Sequence, residues 1–162
     1  MSERRKLECR RIAVWMLLLA IPGVCVAQEE ESAFIGRWRG SIEITASYGA
    51  IGDPEGEELL AIPREFSIRI LRNGDIIVRS RASERSWSEH SMPFALFEWG
   101  ENAVIVGQNR SEAWVETVTF NITRVDEETL FVYWWRVVNN LFIHPDDRAS
   151  KFAFGGYGEL HR

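Results

Sequence analysis

Glu116 is the carboxylate whose position in the sequence departs most clearly from its surroundings. It falls on the apolar face of a strand pattern, together with Trp114 and Val118. Burial would raise the pKa of its carboxyl group and suit it to general acid chemistry. A single carboxylate does not make a glycosidase, which needs a pair. We therefore predict no catalytic residue; the alternative role for Glu116 is a salt bridge to an arginine, and whether it meets Arg136 stays open.

Ligand-type residues also occur in the segment His144-Pro145-Asp146-Asp147. Calcium takes six or more oxygens and zinc three or four spaced ligands, and neither set is present locally. The histidines, His90, His144 and His161, have no neighbours at metal-ligand spacing and form no recognisable triad order. The sequence thus predicts no metal site and no cofactor, and a solvated turn at Pro145.

Four arginines, Arg69, Arg79, Arg81 and Arg85, recur on or near two consecutive strands. With Glu65 and Glu43 they are typical of a polar cross-strand patch. The functional alternative is bidentate binding of a carboxylate or phosphate. It requires the arginines inside a barrel, on the face that Phe66, Ile68 and Ile70 occupy, so we favour the patch.

The segment Phe131–Val138 is apolar on both faces. Leu130, Val132, Trp134 and Val138 share one side, and Phe131, Tyr133, Trp135 and Val137 share the other. A strand with one face in water should alternate, so the second face needs a cover. A long loop over residues 139–150 is the favoured explanation, and an exposed aromatic surface for a partner or ligand is the alternative.

Period-two alternation dominates the chain after residue 33 and predicts strands. Asn73-Gly74 lies between two such runs, which is a strong hairpin signal, and Gly100-Glu101-Asn102 marks a second hairpin. One helical turn is expected around Glu57–Ala61. The predicted strands are Gly36–Ile44, Glu65–Ile70, Ile76–Arg81, Phe94–Trp99, Ala103–Gln108, Ala113–Arg124, Leu130–Val138 and Lys151–Leu160.

Eight consecutive antiparallel strands must close or leave two exposed edges. We predict an all-β fold, an eight-stranded antiparallel up-and-down barrel, with a two-sheet β-sandwich as the alternative. A barrel of this size is just wide enough to fill with side chains or to hold one small ligand.

The opening of the domain, Phe34-Ile35-Gly36-Arg37-Trp38-Arg39-Gly40, resembles the Gly-x-Trp start of strand one in lipocalins and their calycin relatives. Bacterial nitrobindin-like barrels open similarly. The resemblance implies that Gly36 lets the chain enter the barrel and that Trp38 closes its bottom. Lipocalins usually cover this tryptophan with a helix and an arginine near the end of the domain. No long helix follows Leu160, and no ligand chemistry is carried over from these families.

The N-terminus has the three parts of a secretory signal: a basic segment, an uncharged apolar run at Ile12–Val26, and a small-residue exit ending at Ala27. The run of 15 residues is short for a membrane span, so a retained anchor is the alternative. Val24 before Cys25 argues against lipidation. The predicted organisation is a signal peptide over residues 1–27, a flexible acidic N-terminus over 28–33 and the barrel over 34–162.

Cleavage changes the composition of the chain. The removed 27 residues carry five basic and two acidic side chains, leaving 135 residues with a net charge of −8 and no cysteine. Disulfide, thiol and thiolate-metal chemistry are thereby excluded. The negative charge argues against nucleic acid as a partner, and against the membrane after cleavage. The expected location is the periplasm for a Gram-negative source, and otherwise the medium.

Three function classes remain. The leading hypothesis is an exported non-enzymatic barrel that binds a small apolar ligand, with Trp114, Phe120, Tyr133 and Trp135 as pocket walls. The second is an envelope protein-interaction or inhibitor module, and the third is an eight-stranded outer-membrane barrel. The first requires a hollow interior and fails where Trp38, Phe66, Ile68 and Phe120 fill it.

Overall fold

The computed structural model describes residues 31–48, 63–82, 85–112, 114–140 and 151–162. These residues form antiparallel strands joined by turns and loops. All eight predicted strands are confirmed, and a two-residue strand that the sequence pattern did not indicate lies in the connection after Ala82. The strands are β1 Gly36–Tyr48, β2 Arg64–Ile70, β3 Ile76–Ala82, β4 Ser88–Glu89, β5 Phe94–Trp99, β6 Asn102–Arg110, β7 Trp114–Arg124, β8 Thr129–Asn140 and β9 Lys151–His161.

The strands make one sheet, so the two-sheet alternative does not apply. Its order is β4-β3-β2-β1-β9-β8-β7-β6-β5, in which every neighbour follows the chain except the pairing of β1 with β9. The sheet curls strongly, because Phe66 of β2 lies with its ring centre 5.4 Å from that of Phe120 on β7, four places away in the order. The fold is therefore an antiparallel, barrel-like sheet, as predicted.

The ends of the strand order, β4 and β5, share no ladder within the described residues. The segment after β4 lies across this seam. The backbone N–H of His90 donates to the carbonyl of Val78 on β3 at 2.9 Å. Met92 is buried in the core cluster, beside Gly107 of β6. Side chains of this segment thus cover the gap between β4 and β5, where no backbone ladder forms among the described residues.

Alternate residues of each long strand face the interior, and bulky apolar side chains fill it. Trp38, Phe66, Ile68 and Phe120 are all buried. The ring of Phe66 contacts Phe120 edge-on and lies 5.2 Å from Trp134, centre to centre. The lower and middle parts of the barrel-like sheet are therefore a packed core.

Glycines let β1 and β9 approach closely enough for the sheet to coil. Gly40 on β1 and Gly156 and Gly158 on β9 face the opposite strand across this pair. A Cβ added to Gly156 would collide with the carbonyl oxygen of Glu43, and one added to Gly158 would meet that of Ser41. Side chains are excluded here by the partner's backbone.

Three predicted features lie outside the described residues: the signal segment 1–27, the helical turn at Glu57–Ala61 and the loop His144–Asp147. Only residues 31–33 of the acidic segment 28–33 are described. Among the described residues there is no helix long and apolar enough to cross a membrane.

We predict that Gly156→Ala lowers the free energy of unfolding by about 1–3 kcal/mol, because the new methyl group forces β9 away from β1. Glu159→Ala, at an exposed position of the same strand, serves as the control and should change stability little. Urea unfolding followed by tryptophan fluorescence measures both. Equal stability of the two variants would contradict the packing of β1 on β9.

Candidate functional site

A cavity of about 390 Å³ lies at one end of the barrel-like sheet, where β2 and β7 begin and where β3, β6 and β8 end. We call it the upper cavity. Its floor includes Trp134, which packs on the Phe66 ring below. Its walls combine apolar and charged side chains and comprise Arg64, Ser80, Arg81, Ala82, Arg85, Ser86, Ser88, Glu89, His90, Ser91, Met92, Asn109, Trp114, Glu116, Trp134 and Arg136.

Glu116 and Arg136 meet inside this cavity, which settles the question that the sequence left open. Arg136 pairs with Val118 in the β7–β8 ladder, which places it diagonally next to Glu116. Its Nε donates to Oε1 of Glu116 at 2.6 Å. The Glu116 side chain is 8% exposed and that of Arg136 is 31% exposed. Of the two roles weighed for Glu116, the structure shows the ion pair.

Arg64 is a second inward-facing arginine in the same cavity. It shares its face of β2 with Phe66 and Ile68. Its guanidinium makes no hydrogen bond or ion pair with any of the described residues. Burial lowers the pKa of Arg64, and the nearby charges of Arg136 and Arg85 lower it further. The cation therefore lies partly desolvated, with two like charges near it and no counter-charge from the part of the chain that the structure describes.

The indole N–H of Trp134 is also without a partner. The residue is 2% exposed, and its Nε1 has no hydrogen-bond acceptor among the described residues. A buried tryptophan N–H usually has a partner. Leaving it unsatisfied costs about 1–3 kcal/mol. Arg64 and Trp134 thus line the same cavity, and each has a hydrogen-bond donor that none of the described residues satisfies.

His90 and Ser80 complete the polar wall. Nε2 of His90 lies 3.0 Å from Oγ of Ser80. Burial lowers the pKa of His90; Glu116 opposes this effect, whereas Arg136 and Arg64 add to it. The ring is therefore neutral at neutral pH, and Ser80 and His90 can offer hydrogen bonds without adding a further charge.

The four predicted pocket walls do not share one cavity. Trp114 lines the upper cavity, and Phe120 is fully buried beneath it in the core. Tyr133 and Trp135 lie on the outer face of β8 and are 51% and 42% exposed. Their neighbour Trp134 points the opposite way, because successive residues of a strand alternate between faces.

The predicted arginine patch is present in part on the outer face and at the rim. Arg81 pairs with Glu65 at 2.7 Å, and Arg79 pairs with Glu89 at 2.8 Å. Arg85 lines the upper cavity and is exposed. The cavity-lining arginine that the sequence analysis missed is Arg64. Its position two residues before Phe66, on the same face, was the available signal.

Trp38 lies fully buried at the lower end of the barrel-like sheet. Its Nε1 donates to the carbonyl of Phe34 at 2.8 Å, and the Arg162 guanidinium lies 4.7 Å from its ring centre. Arg162 also donates to the carbonyl of Ile35 at 2.6 Å. A wider cleft of about 930 Å³ surrounds this end. Several of its charges are already matched, as in Arg72 with Glu31 and Arg124 with Glu101.

Within the described residues, no group of three or more histidine, cysteine, aspartate or glutamate side chains is placed to hold a metal ion. The fold and cavity define an antiparallel, barrel-like β protein whose upper cavity is lined by several arginines. No family model, curated protein or solved structure matches the chain. The upper cavity is therefore the main evidence for the function of this protein.

We predict that Glu116→Gln lowers the free energy of unfolding by about 1–3 kcal/mol, because it leaves Arg136 beside Arg64 without a counter-charge. The double variant Glu116→Leu with Arg136→Met should regain most of this loss, since it removes both charges. Glu101→Gln breaks an exposed pair with Arg124 and should have little effect. Denaturant unfolding of the four proteins measures these differences, and equal losses at Glu116 and Glu101 would contradict the buried pair.

The lowered pKa of His90 predicts that the protein loses stability on acidification. Below about pH 6.5 the unfolded chain takes up a proton on this histidine while the folded protein does not. The free energy of unfolding should therefore fall as the pH drops from 7 to 5, by up to about 1.4 kcal/mol per unit of pKa difference. His90→Gln should show a flatter pH dependence, and His161→Gln, at an exposed position, should follow the wild type. Parallel curves for wild type and His90→Gln would refute this role.

Proposed function

We propose that this protein is an exported, non-enzymatic binding protein that holds one small organic molecule in the upper cavity. The observation that carries the proposal is Arg64, which lines the cavity and makes no hydrogen bond or ion pair with any of the described residues. A polar group of this kind is costly for the fold alone, and a bound ligand would supply the missing acceptor. Export rests on the signal-like pattern of residues 1–27.

The apolar-ligand hypothesis, as the sequence suggested it, required a hollow barrel. That requirement is not met, because the buried side chains of Trp38, Phe66, Ile68 and Phe120 fill the centre of the barrel-like sheet, and the proposal therefore places the ligand above this core. The upper cavity remains, with apolar surface from Met92, Trp114 and Trp134 and charged groups beside it. Its volume of about 390 Å³ is near the lower limit of ordinary ligand pockets. These features favour a small, flat molecule with an apolar body and a polar end.

A binding role is favoured over catalysis because the inward carboxylate is already engaged. Glu116 accepts a hydrogen bond from Arg136 at 2.6 Å, so its carboxylate is held in an ion pair. The other carboxylate of the lining, Glu89, is tied to Arg79 at the exposed edge. The pair of carboxyl groups that acid–base hydrolysis would need is thus not available in the described lining.

Two observations bear on the family and membrane hypotheses. The Arg162 guanidinium over Trp38 supports a lipocalin-like classification, since lipocalins cover the corresponding tryptophan with an arginine. The charged pairs of Arg81 with Glu65 and Arg79 with Glu89 lie outside the packed core. A lipid-facing surface carries a cost of about 2–4 kcal/mol for each central arginine. These charges favour a ligand-binding domain over an outer-membrane barrel.

A second candidate function is protein interaction through the outer face of β8 and β9. Phe131, Tyr133 and Tyr157 form a contiguous aromatic cluster, with ring centres 5.1 to 6.2 Å apart. Tyr133, Trp135, Val137 and Tyr157 are all more than 40% exposed. Contiguous exposed apolar surface of this kind is typical of a contact surface. This is the observation that favours the interaction-module alternative.

The ligand proposal predicts that N-phenyl-1-naphthylamine, an uncharged fluorescent probe, binds with one-to-one stoichiometry and gains fluorescence. Ala82→Trp places a bulky ring in the cavity wall and should abolish this binding. Ala95→Trp is the matched control, because Ala95 is exposed on β5 and does not line the cavity. It should leave binding unchanged. Absence of saturable binding to the wild type, or equal binding by Ala82→Trp and the control, would overturn the proposal.

A further inference from the structure

The cavity contains one inward-facing positive charge that no described residue balances. Arg136 is matched by Glu116, and Arg81 is matched by Glu65 on the outer face. Arg85 is exposed, so its charge is screened by water. Arg64 differs from all three, since it faces the interior beside Phe66 without a counter-ion. A ligand bound here would therefore meet one uncompensated, partly desolvated guanidinium.

We infer that the ligand of the upper cavity carries a single carboxylate, bound by the Arg64 guanidinium. This inference rests on the proposed function and adds to it the chemical class of the ligand's polar end. A planar guanidinium fits a planar carboxylate through two parallel hydrogen bonds. One carboxylate also balances the charge of Arg64, which none of the described residues pairs with.

The alternatives fit the same contacts less well. A dianionic phosphate would bring a second negative charge into a partly desolvated site that has one free buried cation. A neutral polar group would leave the charge of Arg64 unbalanced. A divalent cation would face Arg64, Arg85 and Arg136 across the cavity. A monoanion is the charge that these walls match.

Glu116 has a positioning role in this arrangement. By engaging Arg136 through Nε, it holds the second interior guanidinium in a fixed, charge-balanced position. Without Glu116, two unbalanced guanidiniums would face the ligand, and the charge of the site would favour a dianion. Glu116 thus sets the net charge of the cavity as well as stabilising the fold.

The test compares three ligands with one aromatic body: 2-naphthoate, the uncharged 2-naphthylmethanol and 2-naphthyl phosphate. Isothermal titration calorimetry of the purified protein should show 2-naphthoate binding at least about tenfold more tightly than the alcohol, the effect of a charge-assisted hydrogen bond. It should also bind more tightly than the phosphate. This comparison uses the wild-type protein and does not depend on the folding of any variant.

Arg64→Gln should reduce this preference to within about threefold by weakening 2-naphthoate binding, with the alcohol little affected. Arg69→Gln is the matched control, since it removes the same charge from an exposed position on the outer face of β2 that does not line the cavity. It should keep the preference.

Two failures are distinguishable. If N-phenyl-1-naphthylamine does not bind, the proposed function itself is wrong. If that probe binds and 2-naphthoate is not preferred over the alcohol, or the phosphate binds most tightly, the cavity is a ligand site but the carboxylate inference is overturned. Retention of the full preference by Arg64→Gln would likewise overturn the assignment of Arg64.

Discussion

The close approach of β1 to β9 is the constraint on which the rest of the structure depends. These strands lie in the middle of the order, and every other strand follows from one or the other by a chain-sequential pairing. Because Gly40, Gly156 and Gly158 carry no side chain, the two backbones can approach and the sheet can coil at this pair. Coiling brings β2 and β7 together across the interior, so that Phe66 and Phe120 touch. Larger side chains at the glycines would hold the sheet flatter and separate these rings.

Coiling also determines where a ligand can bind. A tightly curled sheet leaves little interior space, and large aromatic side chains fill it from Trp38 up to Trp134. Free volume remains above this core, where the strands end. Arg64, Glu116 and Arg136 line the upper cavity near this end of their strands, and the side chains of Arg136 and Glu116 are 31% and 8% exposed. The separation of the packed apolar core from the polar upper cavity thus follows from the shape of the sheet.

Most of the fold could be predicted from the sequence, because its strands follow a clear period of two and its hairpins carry turn signals. Gly74 and Gly100 both have positive φ at the predicted turns, as those positions require. The strand β4 was missed because a strand of two residues is too short to show an alternation of apolar and polar side chains. Its pairing with β3 depends on Arg79 and Glu89, which are ten positions apart.

The site was less predictable because it depends on register. Glu116 was noticed as a polar residue on an apolar face, yet its contact with Arg136 requires the pairing of Val118 with Arg136. In β8, the alternation of residues places Tyr133 and Trp135 on one face. Because both faces of this strand are apolar, the alternation does not reveal which face points inward. Trp134 proved to be the inward residue. Arg64 was missed because the predicted strand began at Glu65, one residue after it, whereas β2 begins at Arg64 itself.

Energetics separate the upper cavity from the other charged groups of the described residues. The pairs of Arg79 with Glu89 and Arg81 with Glu65 lie where water solvates them, so their cost to the fold is small. Arg64 and the Trp134 N–H are partly or fully desolvated and unmatched, and an apolar side chain in place of Arg64 would be expected to stabilise the folded state. In most proteins the residue pattern, the core packing and the pairing of polar groups all favour the same structure, and residues that violate this agreement concentrate at functional sites. Two such departures, from strands β2 and β8 that are not neighbours in the sheet, converge on one small cavity. A requirement of the fold would not explain Arg64 at this position, whereas a bound acceptor with a negative charge would balance it.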